Sequence, residues 1–383
     1  MLQLDSISRL PVCIITGFLG SGKTTLLNGL LQAPGLANSL VIINEFGEIG
    51  IDHLLVSTPS ENMRLLSNGC LCCAVRGDLV ETLADAHRRR SEATLPGFER
   101  VLVETTGLAD PVPIIQTVVT DDALASYYCL DTVVALVDCV HAQAQLDSQP
   151  EAVKQAAVAD LLLLTKTDLA DPARVDELEA RLHQLNEGAE ILRVLRGAID
   201  PPLLFGRAVL DSLASADNVE RWLGAGRRAH ASDDHCVHLP HSDAAHSHAR
   251  HDDRVQTFTL FLDEPVSRQS LATWLTLLAN FKGANLLRVK GLINVEGRPV
   301  VVQAVQTVIH EPVELAHWPT GDRRSRIVFI VRDADRAVFE RSLAALAQNG
   351  SDSSAPAADS RAGKGMLDPQ AYARFLEMAK TLN

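Results

Sequence analysis

Residues 17–24 read Gly17-Phe18-Leu19-Gly20-Ser21-Gly22-Lys23-Thr24 and match the phosphate-loop pattern G-x-x-x-x-G-K-[ST] at every fixed position. An apolar run, Val12–Thr16, precedes the stretch, and a helix-length segment, Lys23–Gln32, follows it. A strand before the loop and a helix after it form the context that this pattern requires, which disfavours a chance glycine-rich turn. We therefore predict that backbone N–H groups of residues 17–24 surround the phosphates of a nucleotide.

Individual residues of the loop have different expected roles. Lys23 is expected to reach the β- and γ-phosphates, and the hydroxyl of Thr24 is expected to bind Mg²⁺. The predicted phosphate-binding residues are Gly17, Gly20, Ser21, Gly22, Lys23, Thr24 and Thr25.

A second motif follows an apolar strand, Val101–Glu104, which ends in the pattern E-x-x-G. Glu104 stands where phosphate-loop enzymes carry a carboxylate near Mg²⁺. Gly107 can bring its backbone N–H to the γ-phosphate, so this loop can sense the state of the nucleotide. We predict Lys23, Thr24, Glu104 and Gly107 as the catalytic residues.

A third motif concerns the base. Thr165-Lys166-Thr167-Asp168 ends the apolar run Leu161–Thr165 and is similar to the [NT]-K-x-D guanine motif of GTPases. The carboxylate of Asp168 can accept two hydrogen bonds from guanine, whereas adenine offers no such donor pair. Thr165 and Lys166 would complete the base site. In the alternative interpretation, Thr165 and Asp168 only cap the following helix.

Short apolar runs alternate with helix-length segments over the first 200 residues, which is typical of a doubly wound α/β domain with a mostly parallel sheet. A smaller C-terminal α+β domain is predicted from the segments after residue 255, including a hairpin, Leu286–Val295 and Pro299–Val308, with Glu296-Gly297 near its turn. The N-terminal strands are predicted at Val12–Thr16, Leu40–Asn44, Met63–Leu66, Val101–Glu104, Val133–Asp138, Leu161–Thr165 and Glu190–Val194, and the helices at Lys23–Gln32, Asp78–Arg90, Val112–Val119 and Pro172–Leu185.

Composition divides the chain further. Residues 1–223 form the predicted phosphate-loop domain, and residues 255–348 form the α+β domain. Between them, residues 224–254 contain His230–His251, which holds seven of the 13 histidines and is predicted to be a metal-binding linker. Residues 349–383 are predicted to be a disordered linker and a short terminal helix, Pro369–Leu382.

Charge and composition exclude several function classes. The net charge is −13 and the pI is near 5.4, so binding to nucleic acid by phosphate neutralisation is not expected. The apolar runs are far shorter than the roughly 18 residues of a membrane span. The first residues lack a basic segment followed by an apolar one, which favours a cytoplasmic protein.

Seven cysteines are present, an odd number, and three of them lie in Gly69-Cys70-Leu71-Cys72-Cys73. In a reducing compartment this spacing favours metal binding, or redox chemistry, over a disulfide framework. Three thiolates suit Zn²⁺, Cu(I) or Co²⁺ and leave a position open for metal transfer. Buried free cysteines that act as small hydrophobic residues are the alternative.

Taken together, the motifs resemble the CobW family of metallochaperone GTPases. The resemblance rests on the three motifs above, on the C-x-C-C cluster and on Asn44-Glu45-Phe46-Gly47-Glu48, and it covers most of residues 11–202. A weaker resemblance, from Val255 to about Leu346, is to the C-terminal domain of the family. The resemblance of the N-terminal part implies that Cys70, Cys72 and Cys73 hold the metal, with Glu48 as a candidate extra ligand. The chain departs from some members at Ile43, where they have an acidic residue, and at Thr165, where Asn is commoner.

The resemblance also implies a function. Weak GTP hydrolysis with Mg²⁺ would drive or gate the delivery of a metal, most often zinc, to client apo-metalloproteins. Cobalt delivery for cobalamin synthesis or for nitrile hydratase activation is known in other branches. A nucleotide-regulated metal buffer is the main alternative, and a small-molecule kinase is less favoured because T-K-x-D indicates GTPase chemistry. Expected partners are GTP and client proteins, with no nucleic acid, no membrane and a possible homo-oligomer.

Overall fold

Two β-sheets organise the chain in the computed structural model. The structure describes residues 9–36, 38–43, 55–56, 63–66, 71–74, 79–205, 222–223, 255–282 and 285–348. Both predicted linkers, the predicted helix Pro369–Leu382 and the whole Asn44–Glu48 motif lie outside these residues.

Within the described part of the chain, the first sheet has nine strands in the order β3-β4-β5-β2-β6-β1-β7-β8-β9. From β5 to β9 every neighbouring pair is parallel, whereas the β3–β4 and β4–β5 pairs are antiparallel. This arrangement confirms the predicted mostly parallel α/β domain. The strands are β1 (Leu10–Gly17), β2 (Ser39–Ile43), β3 (Leu55–Val56), β4 (Met63–Leu66), β5 (Leu71–Ala74), β6 (Arg100–Glu104), β7 (Tyr128–Asp138), β8 (Leu161–Thr165) and β9 (Glu190–Arg193).

Helices cover both faces of this sheet, because its central strands are apolar on both sides. One face packs against α2 and α3, and the other packs against α1, so each face has its own hydrophobic cluster. Near β7 and β8 a further cluster includes α5, α6 and α7. The helices are α1 (Lys23–Gln32), α2 (Leu79–Ser91), α3 (Val112–Thr120), α4 (Asp122–Ala125), α5 (Ala142–Ser148), α6 (Pro150–Val158) and α7 (Pro172–Leu185).

Agreement with the predicted elements is close where the pattern is strong. Helices α1 and α7 and strands β4 and β8 have the predicted bounds, and the other predicted strands of this domain differ by a few residues at their ends. Strands β3 and β5 and helices α4, α5 and α6 were not predicted. Helix α6 was missed because six of its nine residues are buried, so its sequence shows no clear polar face.

The second sheet is antiparallel throughout and has the order β10-β15-β11-β12-β13, with β14 beside β12. Helices α8 and α9 accompany it, and Phe258, Phe329 and Phe339 pack together in its core. This confirms the predicted α+β domain. Its elements are β10 (Val255–Leu262), α8 (Arg268–Lys282), β11 (Leu286–Val295), β12 (Arg298–Val305), β13 (Val308–Ile309), β14 (Val313–Glu314), β15 (Ser325–Arg332) and α9 (Arg336–Gln348).

The predicted hairpin is formed by β11 and β12. Its turn has positive φ angles at Glu296 (54°) and Gly297 (87°), and the side chain of Asn294 accepts a hydrogen bond of 2.9 Å from the Gly297 N–H. One boundary was wrong, because β12 ends at Val305 and Val308 belongs to the separate strand β13.

A buried charge cluster joins the two domains. Asp160, directly before β8, pairs with Arg288 and with Lys290 (3.3 Å) of β11, and all three side chains are less than a tenth exposed. Burial alone would raise the pKa of Asp160, but Arg288, Lys290 and the N–H of Val133 lower it below its ordinary value. The Asp160 carboxylate therefore stays ionised between two cations.

Among the residues that the structure describes, no helix is long and apolar enough to cross a membrane.

Candidate nucleotide and metal site

The phosphate loop connects β1 to α1 at the carboxyl edge of the sheet. Helix α1 begins at Lys23, directly after Gly22, whose φ of 96° lies in the left-handed region. The Lys23 side chain is buried, and its Nζ donates hydrogen bonds to the carbonyl oxygens of Gly17 (2.8 Å) and Phe18 (3.3 Å). The ammonium group therefore lies inside the curve of the loop, where a phosphate group would meet it.

Position 17 has to be glycine, because the atoms around it leave no room for a side chain. A Cβ at this position would lie 2.6 Å from the carbonyl oxygen of Leu136 and 2.7 Å from the Oγ of Ser21. The loop is also tied to the base motif, because the Thr165 hydroxyl donates a hydrogen bond of 2.7 Å to the Ser21 carbonyl. The threonine that replaces the commoner asparagine thus still joins the two motifs.

The Glu104–Gly107 loop lies beside the phosphate loop. Glu104 ends β6 in register with Ile15 of β1, and both of its carboxylate oxygens are buried. The Thr105 hydroxyl donates to the Thr16 hydroxyl at 2.9 Å. At Gly107 a Cβ would lie 2.6 Å from the side chain and 2.8 Å from the backbone nitrogen of Leu19, so only glycine allows this approach.

The predicted base-binding residues follow β8. Lys166 has a φ of 56°, and its Nζ pairs at 2.7 Å with Asp138, which ends the neighbouring strand β7 and is 1% exposed. Asp138 also accepts a hydrogen bond of 2.9 Å from the Val140 N–H, so this pair fixes the Lys166 stem. The side chain of Asp168 is exposed to solvent. The Asp168 carboxylate is therefore accessible to a ligand, and the Lys166 side chain is held in place by its ion pair with Asp138.

Two side chains that the sequence reasoning missed hold the Glu104–Gly107 loop from helix α6. Gln155 donates from Nε2 to the carbonyl oxygens of Gly107 (3.2 Å) and Ala109 (3.0 Å). Lys154 pairs with Asp110 at 2.9 Å. Asp138 was also missed as a functional residue. Its position at a strand end could have suggested it, whereas no local pattern indicated Gln155 or Lys154.

Strand β5 carries part of the cysteine motif into the sheet. Cys73 pairs with Ile42 of β2, Ile42 pairs with Val103 of β6, and Val103 pairs with Ile14 of β1. The cysteine motif and the phosphate-loop strand therefore belong to one parallel sheet and are three strands apart. Cys70 and Glu48 lie outside the described residues. Within the part of the chain that the structure describes, no group of three or more potential metal-ligating side chains is found.

Two protein-family models match the chain. Residues 11–193 match the family described as CobW/HypB/UreG, nucleotide-binding domain, and residues 255–347 match the cobalamin synthesis protein cobW C-terminal domain. The zinc chaperone YjiA of Escherichia coli is 33% identical over 84% of this chain and 93% of its own length. The chain belongs to the CobW family.

Further relatives agree with this membership. The zinc chaperone CobW of a Sinorhizobium species is 28% identical over 88% of this chain and 97% of its own length. The zinc-regulated GTPase metalloprotein activator 1 of Schizosaccharomyces pombe is 32% identical over 51% of this chain and 48% of its own length. The crystal structure of Zn(II)-bound YjiA GTPase superposes with a TM-score of 0.67 at 30% identity, covering 88% of this chain and 99% of that one.

These comparisons confirm the predicted family, the fold class and the assignment as a GTPase. The predicted GTP and zinc agree with the names of the CobW-family relatives, and Mg²⁺ is the ion that phosphate-loop GTPases use with their nucleotide. The roles of the individual site residues and the domain bounds stay predictions.

Proposed function

We propose that this CobW-family GTPase binds zinc at Cys70, Cys72 and Cys73, with Glu48 as a candidate further ligand, and transfers it to client apo-metalloproteins under the control of GTP hydrolysis. Zinc is the cargo in this proposal, and cobalt is the second metal that the ligand set would accept. The observation that carries it is the register of β5, which joins the cysteine motif to the sheet that bears the nucleotide loops.

Nucleotide binding is assigned to residues that converge on the phosphate loop. Lys23 would leave the carbonyl oxygens of its own loop for the β- and γ-phosphates, and backbone N–H groups from Gly17 to Thr25 would hold the remaining phosphate oxygens. Gly107 lies against Leu19 of the loop, so its N–H is within reach of a γ-phosphate placed there. Loss of that phosphate on hydrolysis would release this contact.

Magnesium fits the donor set at the same place. The Thr24 hydroxyl is exposed at the start of α1, and the buried carboxylate of Glu104 ends the strand next to β1. A hydroxyl and a carboxylate are oxygen donors of the kind that Mg²⁺ prefers. When bound, the ion would neutralise charge on the β- and γ-phosphates.

Guanine selectivity is assigned to the segment after β8. Asp168 would accept hydrogen bonds from the base, and the stem of Lys166, held by Asp138, would lie along the ring. Thr165 links this segment to the phosphate loop through Ser21, so the two halves of the nucleotide site keep a fixed separation.

Coupling between nucleotide and cargo is supported by strand spacing. Neighbouring strands lie about 4.8 Å apart, so the three steps from β5 to β1 span roughly 14 Å. Ile43 at the end of β2 is in register with Ala74 of β5 and with Glu104 of β6. A change at the Glu104 loop can therefore reach the strand of the cysteines across one intervening strand.

The first test compares two cysteine variants of the full chain. Cys72→Ser should abolish tight zinc binding, because a hydroxyl is a far weaker zinc ligand than a thiolate, and basal GTP hydrolysis should persist. Cys129→Ser, on β7, is the matched control and should keep both properties. Equilibrium dialysis with zinc and a phosphate-release assay measure them. Tight zinc binding by Cys72→Ser would overturn the assignment of the metal site.

Transfer is tested with a zinc enzyme stripped by chelator. Zinc-loaded protein should reactivate it faster with GTP than with GDP or with a non-hydrolysable analogue. The Cys72→Ser variant should not reactivate it. Reactivation that is no faster than with free zinc at the same concentration would indicate a metal buffer instead of a chaperone.

A further inference from the structure

Helix α6 connects the loop that faces the nucleotide to the C-terminal domain. Its residues Lys154 and Gln155 contact the Gly107–Asp110 segment, and its last residue, Val158, accepts a hydrogen bond from Arg288 of β11. We propose that Gln155 is a positioning residue for GTP hydrolysis, which holds Gly107 at the phosphate loop. This inference rests on the proposed GTPase function and deepens it.

The chemistry of the Gln155 side chain supports a positioning role. Gln155 is 2% exposed, and its one NH₂ group meets two carbonyl oxygens of the same loop, those of Gly107 and Ala109. Burying an amide is unfavourable unless it is hydrogen-bonded, so an apolar residue would serve better if only packing mattered. The paired N–H donors instead fix two points of the loop in one orientation.

Lys154 adds a second tether to the same loop. Its ion pair with Asp110, at 2.9 Å, is about a third exposed on each side, so it stabilises the loop only modestly. The two tethers together hold residues 107–110 against one turn of α6. The Gly107 backbone therefore cannot move away from Leu19 unless the Gln155 hydrogen bonds break or α6 moves with it.

Movement of α6 is opposed at its other end. The Nδ2 of Asn186 donates to the carbonyl oxygens of Ala156 (2.9 Å), Ala157 (3.1 Å) and Ala159 (2.9 Å). Ala157 also packs against Leu287 and Ile330 of the C-terminal domain. Both domains hold α6 in place. The hydrogen bonds from Gln155 therefore fix the position of the nucleotide-facing loop relative to a helix that does not move freely.

This arrangement predicts a specific kinetic effect. Gln155 bonds the segment that faces the γ-phosphate, and no bond from Gln155 to the phosphate loop or to the base segment is found among the described contacts. Loss of the tether should misplace Gly107 and slow hydrolysis, while GDP, which has no γ-phosphate, should bind as before. Small errors in the position of a group that contacts the reacting centre have large effects on rate.

The experiment compares Gln155→Met with Gln116→Met in the full chain. Methionine keeps the length and volume of glutamine but has no donor, and Gln116 is exposed on α3, so it is the matched control. We expect kcat for GTP to fall by about tenfold or more in Gln155→Met, with the Kd for GDP within about twofold of wild type. Gln116→Met should leave both values unchanged.

A second, milder variant keeps the inference testable if Gln155→Met does not fold. Lys154→Met removes the partly exposed tether, and it should lower kcat by a smaller factor with the same unchanged GDP affinity. Equal kcat in wild type and Gln155→Met would overturn the inference, as would a parallel loss of GDP affinity, which indicates general damage to the site. Absence of GTP turnover in the wild type would instead refute the proposed function itself.

Discussion

Acid should destabilise the contact between the two domains through one side chain, His310. This residue follows β13 and is 9% exposed, in a cavity of about 430 Å³ that Tyr128 and Cys129 of the first domain also line. Burial and, to a smaller extent, the charge of Arg288 lower the pKa of His310 to about 4, even though the nearby Asp160 acts to raise it. The imidazole is therefore neutral in the folded protein at neutral pH.

The size of the effect follows from the two pKa values. In the unfolded chain His310 should titrate near its ordinary value of 6.5, whereas in the folded chain it titrates near 4. Because the folded pKa is the lower one, the unfolded state takes up the proton first as the pH falls below 6.5. The free energy of unfolding should decrease by about 2 kcal/mol between pH 7 and pH 5, and by about 3 kcal/mol once the pH reaches 4.

Urea denaturation at pH 7 and pH 5 tests this prediction. All three tryptophans, Trp222, Trp274 and Trp318, contact the C-terminal domain, so their fluorescence reports its unfolding. His310→Gln should remove about 2 kcal/mol of the pH dependence that the wild type shows. His317→Gln, an exposed position in the same domain, is the matched control and should keep the full dependence. The same pH dependence in His310→Gln and wild type would refute the reasoning.

Three predictions concern the nucleotide and metal sites. Lys23→Ala should abolish GTP turnover in a phosphate-release assay while circular dichroism stays unchanged, and turnover at the wild-type rate would contradict the phosphate-loop assignment. Asp168→Asn should weaken GTP binding by about tenfold or more, measured by calorimetry, because the base loses its acceptor; equal hydrolysis of ATP and GTP by the wild type would contradict the guanine assignment. Deletion of His230–His251 should lower the zinc stoichiometry in equilibrium dialysis but leave one tight site, and loss of all tight binding would place the primary site in the deleted segment.

The fold was predictable where single segments carry a clear pattern. The run Leu161–Thr165 is buried at every position and has the predicted bounds, because a central parallel strand needs apolar residues on both faces. Helix α7 has the predicted bounds, and its sequence accounts for them: Asp171 caps the first turn, Pro172 opens it, and the buried residues Val175, Leu178 and Leu182 recur at helical spacing. Helix α6 lacks such a pattern, since burial on nearly all sides removes the polar stripe that marks a surface helix.

The candidate site shows the same limit. Contiguous motifs were enough to predict Lys23, Glu104 and Asp168 as site residues, because close spacing in sequence reflects one loop in space. The partners of these loops come from distant segments, as Gln155 lies 48 residues from Gly107. A lone glutamine in an apolar segment has no signature in a single sequence, and only the packing of α6 against the loop shows its hydrogen bonds.

Sheet geometry limits how a nucleotide could affect the metal in this fold. Parallel strands held by regular hydrogen bonds do not slide independently, so a signal has to pass through the loops at their carboxyl ends. Ile15, Ile43, Ala74 and Glu104 are joined by register, so the carboxyl ends of β1, β2, β5 and β6 lie at one edge of the sheet. The loop after β6 is hydrogen-bonded to α6, and α6 is in turn hydrogen-bonded to Arg288 of the C-terminal domain. Removal of the γ-phosphate would therefore act in two directions, on the strand pair β2 and β5 and on the C-terminal domain, which is the connection that the proposed GTP-controlled metal release requires.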